Sequence, residues 1–448
     1  MKNSKYQLIK SDILKRIING EFSDGKLPPM PKLAEDYQVS LLTARKAVKD
    51  LELQGAVSCQ TGNVGTLIDR SRAEALGNAE EQHLMVGQGF TIGRKVVVRF
   101  LFSSFYLAVM EKVKKLFSDR YPWAEIELIP AVNVHQLLAD GIGFDTVMLT
   151  GRDVADYAET GRLRDLTPFG DPDAKTFLGT VWKHRNRYSF PFNWSVPLLY
   201  ARPELPEIRS WHDFSAAMNH TSMKNLKPGL YLGFYSLFFS FLGNIKTRFP
   251  EHKVDSMLPE MLLLLNKLCT KDMMDSYHWN NQNALKAGLG DEFGMLCGYF
   301  SSLQNYIKTN SHSWRVSRMP LSRNGTPVIA TDTLSLGTDS SCPREAWLWI
   351  RFLLRADIQH LFAELPSFLS VRADIFREQE LGPGIHDILE EEARNAIQPD
   401  LSSRSLYMLY SSIFPLLEQY FAGKMPLEKL VPEVKTLLEE ISSLDHIY

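Results

Sequence analysis

Thr43, Arg45, Lys46 and Lys49 fall in one short stretch. If that stretch is helical, positions 45, 46 and 49 share a face. The chemistry on offer there is recognition of a polyanion. The guanidinium fork of Arg45 matches guanine or phosphate, while Ser40, Thr43, Lys46 and Lys49 carry hydroxyl and ammonium groups that position a phosphate backbone. Gly62, Gly65 and Thr66 follow in a glycine-bearing ribbon that would lie against the same partner. Taken alone, these polar residues read better as the solvated face of a helix.

A second set pairs flat rings with amides. Trp194 adjoins Asn193, Trp279 precedes Asn280 and Asn281, and Tyr299 follows Gly298. A ring covers a sugar's C–H face while amide and hydroxyl groups bond its edges. Ser103, Ser104 and Asp145 add polar groups near strand ends, and Arg152 would either grip an anionic ligand or form a surface ion pair. Any one of the rings alone is more often core than pocket. Catalytic patterns are missing from the sequence. The 11 histidines have no metal-ligand spacing and none stands beside a Cys or Ser in a nucleophile motif. Glu390, Glu391 and Glu392 diverge on a helix and read as a solvated face. The expectation is a binding protein without catalytic residues, cofactor or metal.

The elements that must hold the first set are legible. Ile9, Ile13 and Ile17, with Leu14 and Ile18 beside them, make an apolar helical stripe that ends at Asn19-Gly20. Gly25, Lys26, Leu27, Pro28 and Pro29 read as a rigid turn. Lys32 to Tyr37 is a short second helix, and Leu41 to Gln54 a third, with Ala44, Ala47, Val48 and Leu51 on its buried face. Val57 to Leu67 alternates loosely around Gly62 and Gly65, as a two-stranded ribbon would.

This stretch resembles the amino-terminal winged helix-turn-helix domain of the GntR family of bacterial transcription regulators. The resemblance rests on Gly20-Glu21-Phe22, Gly25-Lys26-Leu27-Pro28, Leu33-Ala34, Val39-Ser40, Thr43 to Val48, Leu51-Glu52 and Gly62 to Thr66. It implies that the third helix enters the major groove with its first turns on base edges, and that the wing follows the adjacent minor groove. Two positions depart from the family pattern. Leu41 stands where a basic residue is usual, and Pro31 where a charged residue is common.

After Asp69 the pattern lapses through Gly87, Gly89 and Gly93, as in a linker. Strand-like and helical runs then alternate: Val96 to Phe102, Leu107 to Phe117, Ile126 to Ile129 and Thr146 to Leu149. That order implies an α/β layer with a largely parallel sheet covered on both faces, binding ligands beyond the carboxyl ends of its strands. Residues 95–448 are similar to the two-lobed solute-binding proteins of ABC importers. The carrying segments are Phe144 to Leu149, Gly161-Arg162-Leu163, Asp165 to Pro168, Tyr188 to Tyr200, Trp211 to Phe214, Ala346-Trp347 to Leu353, and Gly423-Lys424 with Leu427 to Leu430.

The expected organisation is therefore a DNA-binding domain at 1–70, a linker at 71–94 and a periplasmic-binding-protein-like (type II) sensor at 95–448. Cys59, Cys269, Cys297 and Cys342 lack paired spacing, which argues against disulfides and zinc. Net charge is −2 overall, and the first 75 residues hold about 12 basic against 9 acidic side chains. The start of the chain is amphipathic rather than a signal peptide, and Met261 to Leu265 is too short to span a bilayer. A cytoplasmic regulator is expected, a homodimer on an inverted-repeat operator in double-stranded DNA, away from membranes, with a small-molecule effector such as a sugar. The competing reading is a cytoplasmic ligand-binding module whose helix-turn-helix serves dimerisation or docking.

Overall fold

The computed structural model describes residues 5–18, 21–22, 24–60, 65–73, 76–77, 95–170, 174–220, 223, 226–232, 234–242, 251–268, 293–309, 314–321, 325–398 and 403–444. The chain divides into two compact units, residues 1–96 with 116–125, and residues 97–115 with 126–448.

The first unit begins with α1 (Lys5–Ile18), whose stripe of Ile9, Ile13, Leu14 and Ile17 is buried. β1 (Lys26–Leu27) follows, then α2 (Met30–Asp36), opened by Pro29 as N-cap with Pro31 in its first turn. Proline fits there because the first helical N–H groups need no partner within the helix. α3 (Leu41–Leu53) is capped by Ser40, whose hydroxyl accepts from the Thr43 N–H at 3.2 Å. Gly55, at φ +81°, takes the left-handed turn after it. Ala44, Ala47, Val48 and Leu51 of α3 are buried, three of them in a core with the α1 stripe and Leu33. β2 (Val57–Gln60) and β3 (Gly65–Ile68) form the antiparallel ribbon, Cys59 facing Thr66. The sheet order is β1-β3-β2. Lys26 and Leu27, expected as turn, instead pair with Leu67 and Thr66 as a third strand. The small core extends to Ala73, with Leu76 packed against it.

The larger domain opens with β4 (Val96–Ser103), β5 (Ala124–Ala131), β6 (Thr146–Thr150) and β7 (Ser189–Ser195). β8 (Pro197–Ala201), β9 (Lys227–Tyr231), β10 (Phe293–Tyr299) and β11 (Arg315–Arg318) make a second sheet in the order β11-β8-β10-β9. β12 (Ala330–Leu336) then returns to the first sheet, giving β5-β4-β6-β12-β7. β4 runs parallel to β6, but β12 lies antiparallel to both β6 and β7. The expectation of a largely parallel sheet is corrected by this central strand, which arrives from the other lobe. Its Thr333, Leu334, Ser335 and Leu336 are buried, and the Thr333 hydroxyl is satisfied by the Leu149 carbonyl at 3.0 Å.

Each sheet carries its own helices and so forms a lobe. The second lobe's core joins Trp211, Phe214, Phe241, Met261, Leu262 and Leu265 to Leu430, Val434, Leu438 and Ile441 of the last helix. Met261, Leu262, Leu264 and Leu265 are thus core while Leu263 is exposed, and no helix among the described residues is long and apolar enough to cross a membrane. The chain passes between lobes at residues 195–197, 328–330 and 396–398. The last two passages are tied together: Ile329 N–H donates to the Ile397 carbonyl at 2.9 Å, and Ile397 N–H to the Pro327 carbonyl at 3.0 Å.

Candidate functional site

On α3 the buried face fixes which residues point outward. Arg45, Lys46 and Lys49 are exposed, and of the three Arg45 alone has no ion pair, hydrogen bond or ring contact among the described residues. The Lys46 ammonium sits 4.1 Å from the centroid of the Tyr6 ring, and Lys49 pairs with Glu52 at 2.7 Å. That bond raises Lys49 and helps hold Glu52 below the ordinary carboxylate range. Glu52 also accepts the Cys59 N–H at 3.0 Å, which ties the end of α3 to the ribbon. The Ser40 and Thr43 hydroxyls share one hydrogen bond, 2.8 Å apart. Gly65 has φ +80° at the ribbon's turn and Thr66 is half-buried beside Cys59. Gly62 lies outside the described residues.

In the larger domain the carboxyl ends of β4, β6 and β7 converge on one polar cluster. Tyr106 donates its hydroxyl to Asp332 Oδ2 at 2.5 Å, and Asn193 Nδ2 reaches the Tyr106 hydroxyl at 2.9 Å and Asp332 Oδ2 at 3.2 Å. Burial raises the Tyr106 phenol far above its usual range, and the Asp332 charge adds to this. Burial also raises Asp332, against the two hydrogen bonds that favour its charged form. Oδ1 of Asp332 has no partner among the described residues, and Asp332 is only half-buried. It is an acceptor at the carboxyl ends of β6 and β7. Phe105, 55% exposed, stands edge-on to Tyr106 at 5.0 Å.

Beside it, at the ends of β5 and β6, His135 Nε2 lies 3.0 Å from Asp153 Oδ2 and Nδ1 lies 2.9 Å from the Tyr157 hydroxyl. Arg152 Nε is 3.2 Å from Asp153 Oδ1. Burial pushes Asp153 up, but His135, Arg152 and Thr150 together outweigh it and hold the carboxyl below its ordinary value. Behind this edge Gly151 is wedged against β12 and the third passage. A Cβ there would come within 2.2 Å of Thr331 Oγ1 and 2.5 Å of Gln398 Nε2.

The residues expected to hold a ligand are scattered by the fold. Ser103 and Ser104 are half-buried at the end of β4, Ser103 accepting the Phe105 N–H at 3.4 Å. Asn193 joins the Tyr106–Asp332 cluster, while its Oδ1 accepts from Trp194 N–H at 2.8 Å and Leu369 N–H at 2.9 Å. Trp194 is 1% exposed and donates Nε1 to the Ser370 carbonyl at 3.0 Å. Tyr299 lies at the passage between lobes, donating to the Val328 carbonyl at 3.0 Å with Ser236 at 2.7 Å. Asp145 precedes β6, at the opposite end of the sheet, buried and bonded to Arg99 N–H at 2.8 Å and Ser340 Oγ at 2.7 Å. Trp279, with Asn280 and Asn281, is outside the described residues. Arg152 takes the ion-pair alternative.

Asp332, His135 and Asp153 were not singled out by sequence. One signal was available: Asp332 sits inside an otherwise strand-forming run, where aspartate is depleted. Glu392 departs from the solvated-face reading of its run, while Glu391 is exposed as that reading expects. Glu392 is fully buried, with Arg318 Nε at 2.9 Å and the Met319 N–H at 3.3 Å. Burial raises its carboxyl, and Arg318 opposes that rise. Among the described residues no group of three or more His, Cys, Asp or Glu is arranged to hold a metal.

Residues 5–68 match the family model described as bacterial regulatory proteins, gntR family. The chain is also similar to three solved solute-binding structures. The ABC substrate-binding protein Lmo0181 from Listeria monocytogenes, in complex with cycloalternan, has TM-score 0.64 at 14% identity, covering 79% of this chain and 99% of that one. Maltose-bound T. maritima MalE3 gives 0.63 at 18%, covering 78% and 100%. UgpB from Mycobacterium tuberculosis, in complex with glycerophosphocholine, gives 0.60 at 15%, covering 78% and 98%. No curated protein matches the chain. The fold is thus a GntR-type winged helix followed by a two-lobed binding-protein domain.

Proposed function

We propose that this protein is a DNA-binding transcription regulator whose two-lobed domain senses a small carbohydrate and alters operator binding. The observation that carries the reading is the joining, in one chain, of a winged helix matching a regulator family to a fold shared with ligand-binding proteins. Arg45, exposed and unengaged, is the side chain offered to a guanine or phosphate. Asp332 Oδ1 is the acceptor offered to a sugar hydroxyl, and the exposed face of Phe105 suits a sugar's C–H face. Cycloalternan and maltose in two of the similar structures support a carbohydrate as the class.

Three passages of chain between the lobes allow closure about a hinge. Ligand shifts DNA affinity only as far as it binds the open and closed forms unequally. A cytoplasmic homodimer on an inverted repeat is the arrangement in which two wings follow a two-fold operator.

The test joins two measurements on the full chain. A thermal-shift screen of mono- and oligosaccharides should find one that adds about 2.7 kcal/mol at a hundred times its Kd. Footprints on DNA upstream of the chain's own gene should then change with that sugar. Binding equal on every duplex, or footprints indifferent to every stabilising ligand, would defeat the proposal.

A further inference from the structure

The first turn of α3 presents two exposed leucines. Leu41 is 44% exposed and Leu42 77%. Leu42 lies in line with Arg45, Lys46 and Lys49, at helical offsets of three, four and seven, opposite the buried Ala44, Ala47, Val48 and Leu51. The first turns of a recognition helix are the part that meets base edges, and there most polar side chains already have a partner within the domain. Ser40 caps the helix and shares a hydrogen bond with Thr43. The charged heads of Lys46 and Lys49 are held by Tyr6 and Glu52. What remains is an apolar pair beside one unengaged guanidinium, that of Arg45.

The major groove offers one apolar group, the C5-methyl of thymine. We propose that Leu41 and Leu42 read thymine methyls, beside the guanine or phosphate held by Arg45. This rests on the DNA-binding reading above and gives it a base preference. Adjacency on α3 places the methyl contact next to the base pair that depends on Arg45. Burying one methyl-sized group corresponds to about a fourfold change in affinity.

The experiment uses the full-length protein and duplexes it selects from a random pool. The selected duplex is remade with each thymine replaced singly by deoxyuridine, which lacks only the methyl. One or two thymines next to the Arg45-dependent position should lose about fourfold in affinity. Leu42→Ala or Leu41→Ala should weaken binding by a similar factor and abolish the distinction between thymine and uracil at that position. Both leucines are exposed, so unchanged thermal melting separates this effect from misfolding. Equal affinity for every uracil duplex overturns the methyl contact, as does undiminished discrimination in both alanine variants. If the pool yields no preferred sequence, the DNA-binding reading fails and this inference falls with it.

Discussion

Replacing Arg318 with Met should strand a buried carboxylate, and its cost can be worked from the geometry. Arg318 meets Glu392 at 2.9 Å and Glu391 at 2.7 Å; its side chain is 41% exposed while that of Glu392 is at 0%. Breaking a fully buried pair costs about 3 to 5 kcal/mol. Because water reaches the arginine and Met319 N–H still serves Glu392, about 2 to 3 kcal/mol is the better figure here. The sign with pH follows from Glu392. Its folded carboxyl is already raised by burial, and losing Arg318 raises it further. A raised acid binds more protons folded than unfolded, so stability falls as pH climbs through the folded value. The deficit of Arg318→Met should therefore be small in acid and widen toward neutrality. Urea melts followed by tryptophan fluorescence are the assay, since none of the eight tryptophans lies in residues 1–95 and the signal comes from beyond the winged helix. A second substitution, Glu392→Leu, should recover most of the loss. A deficit that is flat with pH, or a double variant as weak as the single one, would refute the argument.

Three other expectations follow. Gly151→Ala should cost about 1 to 3 kcal/mol through overpacking, because its Cβ would strike Thr331 and Gln398; urea melts should show no added cost when both neighbours are already alanine. His184, pulled down to about 4 by burial with Lys183 adding to the effect, stays neutral when folded while the unfolded chain takes up a proton near 6.5. Stability should thus drain away as pH falls between those values, and His184→Gln should flatten that limb in a pH series of melts. Arg45→Ala should lose about 1 to 3 kcal/mol on a selected duplex if Arg45 reads a guanine; an unchanged Kd by titration would remove it from the interface.

What could be read from sequence was set by how far apart the partners lie. The helices of the first unit announce themselves because Ile9, Ile13 and Ile17, or Ala44, Ala47 and Leu51, repeat within a turn or two of one another. β4 and β6 are likewise local runs. β12 is not legible as a central strand, since its partners lie far back along the chain and its Thr331, Asp332 and Thr333 look like a polar edge. The same distance hid the site. Asn193 was visible as an amide beside a ring, but only the fold shows its oxygen accepting from Trp194 and Leu369, and its nitrogen facing Tyr106 and Asp332. Asp145 shows the converse: a strand-adjacent carboxylate placed at the opposite end of the sheet by the direction in which β6 runs.

The position of β12 also sets a schedule for biosynthesis. β6 ends at Thr150 and β7 at Ser195, whereas the strand that fits between them starts at Ala330. At translation rates of about 5 to 20 residues per second, β6 waits roughly ten to forty seconds for its neighbour. Once β7 has followed, the emerging polypeptide carries two uncapped strand edges until β12 arrives, the kind that invite pairing with foreign chains, while the winged helix at the front already has every residue it needs to fold.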